Sequence, residues 1–181
     1  MAARAARYVA FLGGINVGGH RISMEALRAE FAAMGYADVT TFIASGNVVF
    51  MAGGAVARLE SRIEAELGAR LGYVVPTFLR TPRALAAAVA LEPFGSVGSR
   101  DTYLVNFLHT APSAAARRAT EALSNRRDRF EVHGKELHWL VVNGGVSDTT
   151  VKPTVLRRAL GQPTTTRNVK SLRTLAARLA G

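Results

Sequence analysis

Cysteine is absent from these 181 residues, which excludes disulfide staples, thiolate metal ligands and cysteine nucleophiles before any motif is read. Long apolar runs are missing too. The stretch 8–12, which follows the basic segment 1–7, is too short for a signal-peptide core and ends in Gly13-Gly14. No other stretch approaches the roughly 18–20 apolar residues of a membrane-spanning helix. The expectation is a cytoplasmic protein with no membrane association. Acid is also in short supply, with 13 Asp and Glu against 23 Lys and Arg for a formal charge of +10. The shortage is complete over residues 151–181, which hold Lys152, Arg157, Arg158, Arg167, Lys170, Arg173 and Arg178 and no Asp or Glu. Such a field favours polyanions through counterion release. The competing reading is compositional: every basic residue but Lys135, Lys152 and Lys170 is Arg and alanine is abundant, as a GC-rich coding sequence gives.

What is present alternates between strand and helix patterns. Residues 8–12 read as a short buried strand and 13–20 as the loop leaving it. Ser23 is suited to cap a helix whose Met24, Leu27, Phe31 and Met34 share one face, with Gly35 placed for positive φ beyond its end. Residues 40–44 and 47–51, divided by Ser45-Gly46, predict a hairpin. Val56, Leu59, Ile63, Leu67 and Leu71 then recur at helical spacing, with Arg58, Glu60, Arg62, Glu64 and Glu66 on the other sides. Residues 74–79 make a fourth strand. This βαββαβ order is that of the split βαβ or ferredoxin-like unit. A helix begun by Thr81 and Pro82 leads into a second half: a strand at 102–108, a helix at 113–123, a hairpin at 129–132 and 136–142, a helix at 154–160 and an extended piece at 164–166. A helix at 169–180, capped by Asn168, turns Val169, Leu172, Leu175, Ala176 and Leu179 inward. The expected fold is α+β, with a ferredoxin-like subdomain over residues 1–80. A pseudo-repeated βαββα half and the basic C-terminal helix fill residues 81–181.

The run Tyr8-Val9-Ala10-Phe11-Leu12-Gly13-Gly14-Ile15-Asn16-Val17-Gly18-Gly19, followed by Thr41-Phe42-Ile43-Ala44-Ser45-Gly46-Asn47-Val48-Val49-Phe50, resembles the bacterial domain-of-unknown-function family 1697 (DUF1697). Val75-Pro76, Arg80-Thr81, Pro93-Phe94, Asp128-Arg129-Phe130 and Thr166-Arg167-Asn168 extend the resemblance over nearly the whole chain. It implies an α+β fold of ferredoxin-like character and no established activity. The sequence departs from the family pattern at Gly13, where Arg is usual, at Ala44, where Gln is usual, and at Val169, where Trp is usual. A typical Ser-Lys-Leu-Thr stretch stands here as Thr150-Val151-Lys152-Pro153-Thr154.

In a ferredoxin-like unit the end of strand one lies beside the start of strand three, so the glycine loop and the Ser45-Gly46-Asn47 turn must meet. Successive N–H groups at Gly14, Gly18 and Gly19 ahead of a helix can form an anion-binding nest, with Asn16, His20 and Arg21 at hand and Ser45 and Asn47 beside them. Lys152 and Arg167 are candidates to reach in from the second half. The competing reading makes the glycines a tight strand-to-helix turn in which Asn16 bonds its own backbone. No known phosphate signature fits, because Gly18 is followed by Gly19-His20 rather than Lys and a hydroxyl residue. In the hairpin around Gly134-Lys135, a type II′ turn sets His133 against Glu136 and Glu131 against His138. That is a metal-like grouping, but with Phe130, Val132, Leu137 and Trp139 on the buried face it reads as the solvated side of an amphipathic hairpin. Ser45 lacks the nucleophile-elbow pattern.

The function expected is a binding module for an anionic or phosphorylated small molecule at Gly14, Asn16, Gly18, Gly19, Ser45, Asn47, Lys152 and Arg167, with no metal and no cofactor. One alternative is an enzyme acting on a small phosphorylated substrate with His20 as acid or base. Another is weak nucleic-acid binding through the outer stripe Lys170, Arg173 and Arg178, although residues 47–51 lack the basic and paired aromatic residues of RNA-recognition strands. In a third, the glycine motif is architectural and the surface meets a protein partner.

Overall fold

The computed structural model describes residues 5–181, so the start of the basic segment lies outside the described residues. The elements are β1 (Ala6–Leu12), α1 (Met24–Ala33), β2 (Ala37–Phe42), β3 (Asn47–Ala52), α2 (Val56–Leu71), β4 (Thr77–Arg80) and α3 (Pro82–Ala90). They continue with β5 (Thr102–Phe107), α4 (Ala114–Glu121), β6 (Asp128–His133), β7 (Glu136–Val141), α5 (Pro153–Leu160), β8 (Thr165–Asn168) and α6 (Val169–Ala180). They form a mixed α+β protein with two four-stranded antiparallel sheets, ordered β2-β3-β1-β4 and β6-β7-β5-β8. The chain divides into two compact units, one through Leu85 and one from Ala86, a division that falls inside α3. Among the described residues no helix is long and apolar enough to cross a membrane.

In the first unit, strand alternation sends Tyr8, Ala10, Leu12, Val48 and Phe50 to one face, where Leu27 and Phe31 of α1 and Leu59, Ile63 and Leu67 of α2 cover them. Two carboxylates expected on the outer sides of α2 turn inward instead. Glu60 is buried and its Oε1 accepts from Leu79 N at 2.8 Å, while Glu64 Oε1 accepts from Thr77 N at 2.8 Å. Both satisfy the open edge of β4, whose backbone donors would otherwise be unpaired. The strand itself starts at Thr77, later than expected, because Pro76 has no N–H to place in a ladder.

The hairpin between β2 and β3 also differs from expectation. Phe42 pairs with Asn47, so the loop has four residues, Ile43 to Gly46, rather than Ser45-Gly46 alone. Ile43 enters it at φ 50°, an unusual conformation for a β-branched residue, and Gly46 leaves it at φ 73°. In the second unit, Leu104, Phe130, Val132, Leu137 and Trp139 form one face, closed by Leu156 and Leu160 of α5. Helix α6 packs against β5 and β8 with Val169, Leu172 and Leu175 buried.

Candidate functional site

The glycine loop of the first unit and the Ser45-Gly46-Asn47 turn do meet. Leu12 N donates to Gly46 O at 2.9 Å, Gly13 N to Pro76 O at 2.7 Å, and a Cβ added at Gly46 would stand 2.6 Å from Ile15 Cγ2. Gly14, Gly18 and Gly19 all take positive φ, and Val17 to Arg21 are exposed. The side chains of Asn16 and Asn47 are spent on the loop and turn themselves. Asn16 Oδ1 accepts from Ile22 N at 2.8 Å, and the buried Asn47 amide donates to Phe42 O at 3.1 Å and to Ser45 Oγ at 2.9 Å. His20 stacks on Tyr73 with ring centroids 3.8 Å apart, and the Tyr73 hydroxyl donates to Ile15 O. Lys152 and Arg167 belong to the second unit. Lys152 is exposed at the start of α5, whereas Arg167 is buried in β8, its guanidinium donating to Thr165 Oγ1 at 2.8 Å and Thr166 O at 2.9 Å. Burial lowers the Arg167 pKa to about 10, so it keeps its charge at neutral pH.

The second unit contains a cleft of about 800 Å³, a size typical of small-molecule sites, that no sequence motif pointed to. The loop from Gly95 to Asp101 forms one wall, and Gly144-Gly145 and the start of α6 form the other. The wall loop is held by Asp101, whose carboxylate accepts from Gly98 N and Asn143 N at 2.8 Å each. Those two backbone donors, Asn143 foremost, hold its pKa below the ordinary value. Asn168 caps α6 by accepting from Lys170 N at 2.9 Å, and the first turn of the helix carries Lys170 but no acid. Lys170 and Arg100 line the cleft, and neither side chain is in an ion pair or hydrogen bond among the described residues. Arg173, one turn on, is paired with Glu92 at 2.5 Å, and both line the same cleft. The stripe Lys170, Arg173 and Arg178 is exposed along α6, and its first two members are therefore cleft residues.

Against Tyr103, which lines this cleft, lies a histidine that alternation alone assigned to solvent. The hairpin register is as expected, with Glu131 opposite His138 and His133 opposite Glu136. His138, however, is fully buried, and its Nδ1 lies 2.6 Å from the hydroxyl of Tyr103, a cleft residue. The solvated side of the hairpin thus extends only to Glu131, His133 and Glu136, because β7 lies inside the sheet and its neighbour β5 brings Tyr103 and Val105 alongside. Burial, reinforced by His133, pushes His138 down to about 4, so the ring is neutral at pH 7. Asp128 is a second buried group that the sequence reading passed over. Its carboxylate accepts from Trp139 Nε1 (2.9 Å), Thr149 Oγ1 (2.7 Å), Thr150 N (2.8 Å) and Thr150 Oγ1 (2.8 Å). It ties the segment before Lys152 to the sheet.

Among solved structures, the conserved bacterial protein SP0830 from Streptococcus pneumoniae is similar in fold, with a TM-score of 0.74 and 21% identity over 98% of this chain and 100% of that one. A search of curated proteins finds no relative that matches. The model of a family described as a protein of unknown function, DUF1697, matches residues 5–138, and with that match over most of its length this chain belongs to the DUF1697 family.

Proposed function

We propose that this protein is a binding module for a small anionic ligand, held in the cleft of the second unit. The observation that carries the reading is Lys170 in the first turn of α6 with no acid beside it, and Arg100 lining the same cleft. A cation at the positive end of a helix dipole is unfavourable by a few tenths of a kcal/mol, roughly, where a carboxylate would be favourable. An anion between Lys170 and Arg100 reverses that sign and uses the first-turn N–H groups that the Asn168 cap leaves open. The glycine loop of the first unit is the second reading. It is favoured by the exposed backbone at Gly18 and Gly19, where an added Cβ would meet nothing within 4 Å. The cleft is preferred because Asn16 and Asn47 already spend their side-chain groups on the loop and turn, whereas Lys170 and Arg100 do not. We also read each unit as ferredoxin-like and the chain as two such units in series, a reading supported by the same strand order, second-third-first-fourth, in both.

The test is thermal denaturation in the presence of nucleotides, phosphosugars and carboxylates. Phosphorylated compounds are expected to raise the melting temperature of the wild type, and the shift is expected to vanish in the double variant Arg100→Ala/Lys170→Ala. A shift that survives in the double variant and disappears in Gly18→Ala would move the site to the glycine loop.

A further inference from the structure

The cleft described above carries donors and an acceptor side by side, and one of its lining residues, Tyr103, belongs to a buried pair that the anion reading leaves unused. His138 is fully buried with one nitrogen, Nδ1, on Tyr103 and the other, Nε2, without a hydrogen-bond partner among the described residues. A buried polar atom left unpaired is costly, and native structures that keep one generally do so for a functional reason. The two arrangements of the proton on this neutral ring differ in that cost. If Tyr103 donates to Nδ1, the ring proton sits on Nε2 as an orphaned buried N–H, the rarest kind of unpaired group. If Nδ1–H donates to Tyr103 Oη, only a lone pair is left unpaired, and the hydroxyl hydrogen of Tyr103 is released to another acceptor. Phe94 packs edge-to-face with the Tyr103 ring, centroids 5.5 Å apart, and Tyr103 lines the cleft together with Glu92 and Arg173, whose charges both act on its ionisation. Burial raises that ionisation to about 12, so the proton is there to donate at neutral pH.

Resting on the anion reading of the same cleft, we infer that its ligand is a phosphorylated polyol of the sugar-phosphate class. Its phosphoryl group lies at Lys170 and Arg100, and its hydroxyls lie at Tyr103, Glu92 and Arg173. A hydroxyl both donates and accepts, and this end of the cleft offers it both partners: the Tyr103 hydroxyl and Arg173 guanidinium as donors, the Glu92 carboxylate as acceptor. An inorganic phosphate held at Lys170 and Arg100 has no hydroxyl-bearing chain to reach this end of the cleft. Tyr103 is then a specificity-determining donor, and His138 a positioning residue that fixes where its hydrogen points.

Calorimetric titration with inorganic phosphate, ribose and ribose 5-phosphate tests this. Ribose 5-phosphate is expected to bind at least about tenfold more tightly than phosphate, the value of one good hydrogen bond to a neutral partner. Tyr103→Phe should erase that advantage and leave phosphate affinity unchanged, whereas Lys170→Ala should weaken both. His138→Leu should behave as Tyr103→Phe does, with no further loss in the double variant. His138→Asn, which keeps an N–H near Nδ1, should restore the advantage. If ribose 5-phosphate binds no better than phosphate, or Tyr103→Phe leaves the advantage intact, the sugar-phosphate inference is overturned while the anion reading stands. If neither phosphate nor ribose 5-phosphate binds the wild type, both are overturned. Should His138→Leu fail to fold, Tyr103→Phe decides the matter alone.

Discussion

Gly46 and Gly18 share a positive φ, of 73° and 64°, yet only Gly46 is pinned by its surroundings. A methyl at Gly46 would stand 2.6 Å from Ile15 Cγ2 and 3.3 Å from Leu12 Cβ, whereas at Gly18 it would meet nothing within 4 Å. Gly18→Ala therefore adds only the backbone term, about 1 kcal/mol. Gly46→Ala adds overpacking of a buried contact and should cost about 2–4 kcal/mol in urea denaturation. Equal costs would mean that the loop and turn do not press together as described. At Asp128 the same scale gives a pH dependence. Burial opposes its ionisation, but the donors of Thr149, Thr150 and Trp139 outweigh it and hold the pKa below the ordinary value. The stabilisation from a depressed carboxylate is complete above its unfolded pKa of about 4 and is lost as pH falls through the lower folded value. Asp128→Asn should thus lower stability by about 3 kcal/mol at pH 7, since an amide NH₂ then faces donors. Its deficit should shrink as pH falls below about 4. A deficit that stays constant over that range would show that the carboxylate charge is not what holds Thr149 and Thr150. Neither Asp128 nor His138 was legible in the sequence. His138 reads as solvent-facing by alternation, and its burial depends on which strands flank it, whereas Asp128, in phase with the buried Phe130 and Val132, stands just before the expected strand 129–132.

At the scale of elements, the helices were largely legible because their signals are local. Ser23 and Asn168 cap α1 and α6 as their types suggest, with Ser23 Oγ accepting from Ala26 N at 3.0 Å. Strand ends were less so. The start of β4 and the four-residue loop after Phe42 depend on which partner N–H and C=O groups are within reach, and pairing is not local. Helix α2 begins on a residue that cannot cap it. Ala55 holds an extended cap conformation, φ −74° and ψ 137°, with no side-chain hydrogen bond and no acid in the first turn. Ala55→Asp supplies both a cap oxygen and a charge suited to the dipole, and should stabilise the protein by about 1 kcal/mol. A neutral or negative result in thermal or urea denaturation would mean that Ala57 and Arg58 cannot present their N–H groups to it.

At the scale of the molecule, the mixed α+β character and the succession of strands and helices were readable in the sequence, whereas the order of strands within each sheet is seen only in the structure. Alternation and helical spacing carry the succession of elements without carrying strand order. The cleft was not readable, because its walls come from the segments 92–103, 144–145 and 168–173, which only the folded chain brings together. The excess of +10 charge attracts every anion at low salt, so affinity alone does not locate a site, and location is the central claim. It is tested most directly by backbone amide chemical shifts during titration with ribose 5-phosphate at moderate salt. The account predicts saturable shifts at Gly95 to Asp101, Gly144, Gly145 and Asn168 to Arg173, with Gly14 to Gly19 and Ser45 to Asn47 unmoved. Shifts confined to the glycine loop and its turn, or none that saturate anywhere, would contradict it.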